Sequence, residues 1–200
     1  GTLLLFGLLL CVSIRVDAEW TTQTLHLEPG WNAIHLRVQP ADNGSASVFG
    51  HSAIESVWAW NKQFRSVQYI RDPETLMPSL PHWLVYFPAG NRNVTSSSLH
   101  QVFSGNTYLV KVVSDKAVTL KITGETSVKK ASWIADSFNM VGFSIDPATP
   151  ITFADYFSAS KAHQGQAIYT LQTEGKWTKI SNPAAHFMAP EKAYWVYCKG

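Results

Sequence analysis

One string of residue types occurs twice in this chain, and it constrains the fold more than any other feature. Gly30–Pro40 reads GWNAIHLRVQP, and Ser137–Pro147 reads SFNMVGFSIDP. With Asn32 set against Asn139, Ile34, Leu36 and Val38 fall opposite Val141, Phe143 and Ile145. Apolar residues at every second position describe a half-buried strand. These six residues therefore point inward, while His35 and Arg37, matched by Gly142 and Ser144, point outward. Both strings end at a proline, Pro40 or Pro147, which cannot donate to a ladder.

The correspondence continues in the same order. After each proline comes a short segment ending in Phe49 or Phe157, long enough for one or two helical turns, and Thr152 followed by Asp155 suits a capping box. Next come IESVWAWNKQFRSVQYI and QAIYTLQTEGKWTKIS, each two strands around a polar turn, with Glu174-Gly175 supplying the turn chemistry in the second. Val57, Trp58 and Phe64 then match Ile168, Tyr169 and Trp177. Last, SGNTYLVKV matches APEKAYWVYC, aligning Tyr108 with Tyr194 and Val110 with Val196. Four matches in one order read as an internal duplication.

The copies differ by an insert at about residues 68–101 in the first. Its Asp72-Pro73 reads as the cap and first position of a helical turn. HWLVYFP reads as an extra strand and AGNRNVTSSS as a polar loop. A further strand, AVTLKITG, ends the first copy. The chain is therefore predicted to be all-β with minor helix, in two related β-modules. The first covers 19–124, a connector 125–132, and a second, shorter module 133–200 whose core draws on the first or on residues past Gly200. The modules form either two small barrels or one shared sandwich. An apolar content of 46% with 15% charged residues supports a packed core, and eight Trp, seven Tyr and ten Phe favour strands. The net charge is +2 and no basic cluster exceeds Lys129-Lys130, which argues against a nucleic-acid partner.

Leu3–Ile14 is an apolar run too short to span a bilayer comfortably. Val16 and Ala18 follow at the positions a signal peptidase reads, so residues 1–18 read as a signal peptide cleaved after Ala18. An uncleaved anchor is the alternative, and Leu10 before Cys11 argues against a lipoprotein signal. The chain begins at Gly1 without Met or a basic leader, as a fragment with an upstream start would. The expected location is extracellular, cell-surface or periplasmic, with no membrane contact after cleavage. Cys198 is then the only cysteine of the mature chain. It sits in a strand-like segment and reads as a buried inert thiol, with a bridge to a residue beyond Gly200 as the alternative.

The pattern PGWNAIHLRVQP, ESVWAWN and SGNTYLVKV resembles β-modules, defined by motif alone, near the N-termini of exported and surface proteins of bacteria. Those modules read Gly-Trp-Asn, then an aromatic Trp-x-Trp/Tyr strand, then Gly-x-x-Tyr and Val. The likeness covers most of Leu25–Gly200, and Ser137-Phe138 departs from it where Gly-Trp would stand. It implies an accessory module of a longer exported polypeptide and carries no catalytic residue over.

A search for chemistry finds no assembled constellation. None of the seven His pairs at HxH or HxxxH spacing, so no metal site is read. There is no nucleophile elbow and no phosphate loop, so no cofactor is expected. Asp136, Asp146 and Asp155 have loop and cap roles to explain them. The aromatics are the lead. Trp58 and Trp60 lie on one face of a strand and form either a sugar-stacking platform or, as Leu171 at the matching position suggests, a core. Trp83, Tyr86 and Phe87 lie in the insert, where a function particular to this copy would sit. Asn43 and Asn93 head glycosylation sequons on loops. The expected function is a non-catalytic structural or interaction module with an envelope protein or glycan as partner. The alternatives are a carbohydrate-binding module using Trp83, Tyr86, Trp58 and Trp60, or the accessory N-terminal part of a secreted enzyme.

Overall fold

The computed structural model describes residues 20–61, 70–79, 82–127 and 129–200. The expected signal segment, Cys11 and the strand around Phe64 lie outside the described residues. Among the described residues, eleven strands and two short helices occur. The first half holds β1 (Trp20–Leu27), β2 (Gly30–His35), β3 (Val38–Pro40), α1 (Ser45–Phe49), β4 (Ile54–Trp60), β5 (Trp83–Tyr86), β6 (Thr107–Val112) and β7 (Val118–Thr126). The second holds β8 (Ser137–Gly142), α2 (Phe153–Tyr156), β9 (Ile168–Leu171), β10 (Trp177–Lys179) and β11 (Ala193–Cys198). They form three antiparallel sheets, β1-β7-β3, β2-β6-β4-β5 and β10-β9-β11-β8.

The sheets stack as a sandwich and none closes into a barrel. Leu25 and Leu27 of β1 and Leu120 and Ile122 of β7 meet Ile34, Tyr108 and Val110 of the first four-stranded sheet in one core. The other face of that sheet meets the second four-stranded sheet, where Ala33, Trp83 and Leu109 join Met140, Trp177 and Trp195. The far side of the second sheet buries Val141, Phe143, Tyr194 and Val196 against Phe153 and Phe157 of the α2 region. Sheet β2-β6-β4-β5 is thus buried on both faces.

The two four-stranded sheets share one layout. In chain order each runs first, fourth, second, third: β2-β6-β4-β5 and β8-β11-β9-β10. Val57 pairs with Val110 and Ile168 with Val196, while Trp58 pairs with Leu109 and Tyr169 with Trp195. The Tyr108 hydroxyl accepts from the Phe103 amide at 2.8 Å, and the Tyr194 hydroxyl accepts from the Ala189 amide at 3.1 Å, each five residues back. Both tyrosines are buried, and burial raises the phenol of each above its ordinary value. The asparagines act alike. Asn32 accepts from the Glu28 amide and donates to the Glu28 and Gly30 carbonyls. Asn139 accepts from the Ile134 amide and donates to the Ile134 and Ser137 carbonyls. Each amide thereby ties down the turn that enters its strand, and Asn139, which is buried, must find such partners. The helices also enter alike: Gly44 bridges to Gln101 and Thr152 to Phe187. Thr152 caps α2 by accepting from the Asp155 amide, while its hydroxyl donates to the Asp155 carboxylate.

Ile34, Leu36, Val38, Val141 and Phe143 are all buried, and Ile145 is half-buried. The expectation for His35 is corrected. It points away from the first core, but that direction leads into the second sheet, and His35 is 3% exposed. Its ring rests on Gly142, the residue it matches, where an added Cβ would come within 2.2 Å of the His35 Cβ and Cγ. Two bulky residues cannot both occupy that point of contact.

The insert is corrected as well. β5 is not extra: it flanks β4 as β10 flanks β9, with Trp83 opposite Trp60 and Trp177 opposite Leu171. Asp72-Pro73 opens a turn, in which the Asp72 carboxylate accepts from the Glu74 amide, and no helix follows. Ile70 then bonds through its backbone to Ser137 and Phe138, so this part of the insert lies along the edge of β8. Ser97 and Ser98 of the polar loop bond the open edge of β5. A buried or covered edge cannot template pairing with another chain.

Leu36→Ala is expected to destabilise the fold by about 2–5 kcal/mol, as a fully buried leucine does. Gly142→Ala is expected to cost about 1–3 kcal/mol by overpacking against His35. Urea denaturation of both variants measures the two effects, and a G142A midpoint equal to that of the parent would show that the sheets do not meet there.

Candidate functional site

The four aromatic candidates divide between two cores. Trp83 is 1% exposed and Tyr86 8%, so neither forms a platform for a sugar ring. Alternation along β5 sends Trp83 into the seam between the four-stranded sheets and Tyr86 into the core under the three-stranded sheet. Trp58 and Trp60 are half-buried and pack on the seam. Trp58 donates its indole N–H to the Ser56 hydroxyl at 2.8 Å and meets Phe87 edge-on at 6.0 Å. Trp60 meets Trp83 at 5.0 Å and Trp195 at 6.0 Å, both edge-to-face. Such pairs each add about 0.5–1.5 kcal/mol beyond the area they bury. These tryptophans thus help to join the halves.

The residues that sequence reasoning missed lie beside this seam. A cavity of about 580 Å³ opens between the start of β6, residues 129–134 and β8. Asn139 holds the segment entering β8 by both the amide and the carbonyl of Ile134. The stem of Lys129 lies over Gly105, whose φ of 76° and missing side chain admit it. The Thr107 hydroxyl donates to the Met140 carbonyl at 3.3 Å and crosses between the halves. His35, Trp60, Phe138, Met140 and Trp195 line the space. Two polar atoms of these residues, His35 Nδ1 and Trp195 Nε1, are closed to solvent and have no protein partner. Burial pushes His35 from 6.5 down to about 4; a hydrogen bond to the Pro190 carbonyl opposes the shift and the charge of Arg37 adds to it. No sequence signal marks this site, because its walls come from segments far apart in the chain.

The other candidate groups are engaged in local structure. The Asp136 carboxylate accepts from the Gly200 amide, Asp146 from the Ala148 amide, and Asp155 takes the Thr152 hydroxyl. Cys198 is buried, and burial raises its thiol above the ordinary value, with the Asp136 charge adding to the shift. Among the described residues, no three His, Cys, Asp or Glu side chains gather as metal ligands. No helix among them is long and apolar enough to cross a membrane.

Trp83→Ala is expected to destabilise the protein by about 3–5 kcal/mol, the cost of emptying a core site, and Trp58→Ala by less. Chemical denaturation would measure both, and a cost for W83A below that of W58A would contradict the packing. His35 sets a pH dependence. Its folded value lies below its unfolded value, so its neutral form supports folding fully above about pH 6.5. That support falls away as the pH drops towards 4, by about 3 kcal/mol at about 1.4 kcal/mol per unit. Denaturation midpoints for the parent and His35→Gln at pH 7 and pH 4.5 test this, since the parent alone should lose that share. Comparison with protein-family models, with curated proteins and with solved structures finds no match.

Proposed function

We propose that this chain is a non-catalytic binding module of an exported bacterial protein, with the cavity between its two four-stranded sheets as the site. One observation carries the reading. A cavity of about 580 Å³, within the range typical of small-ligand sites, is lined by residues of both halves, among them His35, Trp60, Phe138, Met140 and Trp195. Asp136, Asp146 and Asp155 are engaged in local hydrogen bonds, and no carboxylate is among the described residues lining the cavity. Export is supported by the apolar run Leu3–Ile14 with Val16 and Ala18 behind it. The sugar platform of Trp83 and Tyr86 is set aside, because both rings are core.

Two measurements test the reading. Expressed in a bacterium with its leader, the exported protein should begin at Glu19 by N-terminal sequencing; recovery of an uncleaved cytoplasmic chain counts against export. A mixed screen of small molecules and envelope glycans, followed by NMR on the labelled protein, should map binders to Thr107, Met140 and Trp195. Turnover of any screened compound, or binders that map only to other surfaces, would sink the binding-module reading.

A further inference from the structure

Each of the three sheets has two edges, and among the described residues all of these but one are covered or short. The Thr173 and Glu191 carbonyls accept from the Trp31 and His35 amides along β2. Ser97 and Ser98 cover β5, and Ile70 covers β8. β3 and β10 have three residues each, and β3 ends at Pro40. β1 is different. It runs for eight residues at the edge of its sheet, WTTQTLHL, and pairs with β7 in unbroken register. It contains no Lys, Arg, Asp, Glu or Pro and no bulge, the devices that keep an edge from pairing. The bonding on β7 shows which of its backbone groups are free. The Ala41 amide donates to the Thr123 carbonyl on the β3 side of β7. Bonding directions alternate along a strand, so Gly124, Ile122, Leu120 and Val118 turn to β1. Their opposite numbers, Thr21, Gln23, Leu25 and Leu27, close that ladder. Trp20, Thr22, Thr24 and His26 therefore turn their N–H and C=O groups away from the sheet, and no described residue bonds them there. Their side chains are exposed as well, Trp20 to 59%.

We propose that β1 pairs with β1 of a second copy of this chain, antiparallel about a two-fold axis at Gln23, and so joins two three-stranded sheets edge to edge. In that register Thr22 stands opposite Thr24 of the copy, and Trp20 opposite its His26. The strand fits itself. Each outward backbone group meets its complement, which gives about eight hydrogen bonds across the axis. Thr–Thr and aromatic cross-strand pairs are favourable. No like charges meet, because Lys121 and Glu125 of this face lie one strand back, on β7. The pairing also closes. It uses the β1 edge of both copies and leaves β3 at each end of the joined sheet, where Pro40 has no N–H to offer. Head-to-tail pairing of β1 with β3 would grow without end, but a three-residue strand gives β1 little to hold.

Sedimentation equilibrium from about 1 μM to about 1 mM protein should show a mass that rises from one chain to two and stops there. Hydrogen exchange over the same range should slow at the amides of Trp20, Thr22, Thr24 and His26, while those of Thr21, Gln23 and Leu25 stay protected throughout. Thr22→Lys combined with Thr24→Lys sets like charges opposite each other on both sides of the axis and should weaken the dimer roughly tenfold. Both residues are exposed, so the denaturation midpoint of the single chain should hold. Thr22→Glu combined with Thr24→Glu should weaken it likewise, and an equimolar mixture of the two variants should recover the mass of two chains. A protein that stays a single chain at every concentration, with these amides open, overturns the proposal. If it stays single while the amides are protected, another segment of the same chain covers the edge, and the proposal is overturned too. A dimer indifferent to the lysines, or masses beyond two chains, puts the contact elsewhere and also overturns it. The exchange pattern of the parent decides the matter even if a variant fails to fold.

Discussion

The rest of the structure depends on one sheet having no free face. β2-β6-β4-β5 is covered on one side by the three-stranded sheet and on the other by the second four-stranded sheet. In such a sheet both sets of alternating side chains must leave water. β6 meets the demand with Tyr108, Leu109 and Val110, all at most 1% exposed. Polar groups caught in these layers survive only where they are bonded. Gln23, 2% exposed, donates to the His35 carbonyl and accepts from the Arg37 and Val38 amides, and so pins the corner where the chain leaves β2 for β3.

The seam on the far side of that sheet has the character of an isologous contact, in which matched surfaces meet each other. β2 lies against β11 and β8 against β6. His35 and Gly142 are matched in sequence and touch in space. Matched positions in the seam differ in size: Ala33 with Met140, Leu109 with Trp195, Leu171 with Trp60. Only the first half owns a three-stranded sheet. The second half covers its outer face with α2, Trp133 and the segments around Ile151 and Ile180 instead. This asymmetry leaves the connector to cross beside the seam, and the cavity lies beneath it.

The sequence by itself determined which residues alternate along the two matched strings and how those strings align. Alternation sets which side chains share a face, because the backbone period of two is local. For that reason Ile34, Leu36, Val141 and Phe143 could be placed inward, and Val57 with Ile168 and Tyr108 with Tyr194 could be matched. Only the tertiary structure decided what each face meets. His35 alternates outward and is buried, because outward led to a second sheet that no local pattern announces. Trp83 and Tyr86 sit in an insert that reads as a surface elaboration, yet β5 completes the sheet, since the neighbour of β4 is chosen by long-range pairing. His35 and Trp195 line one cavity although they lie 160 positions apart in the chain. Periodicity sees only neighbours a few residues apart, whereas a site of this kind is a property of how whole layers stack.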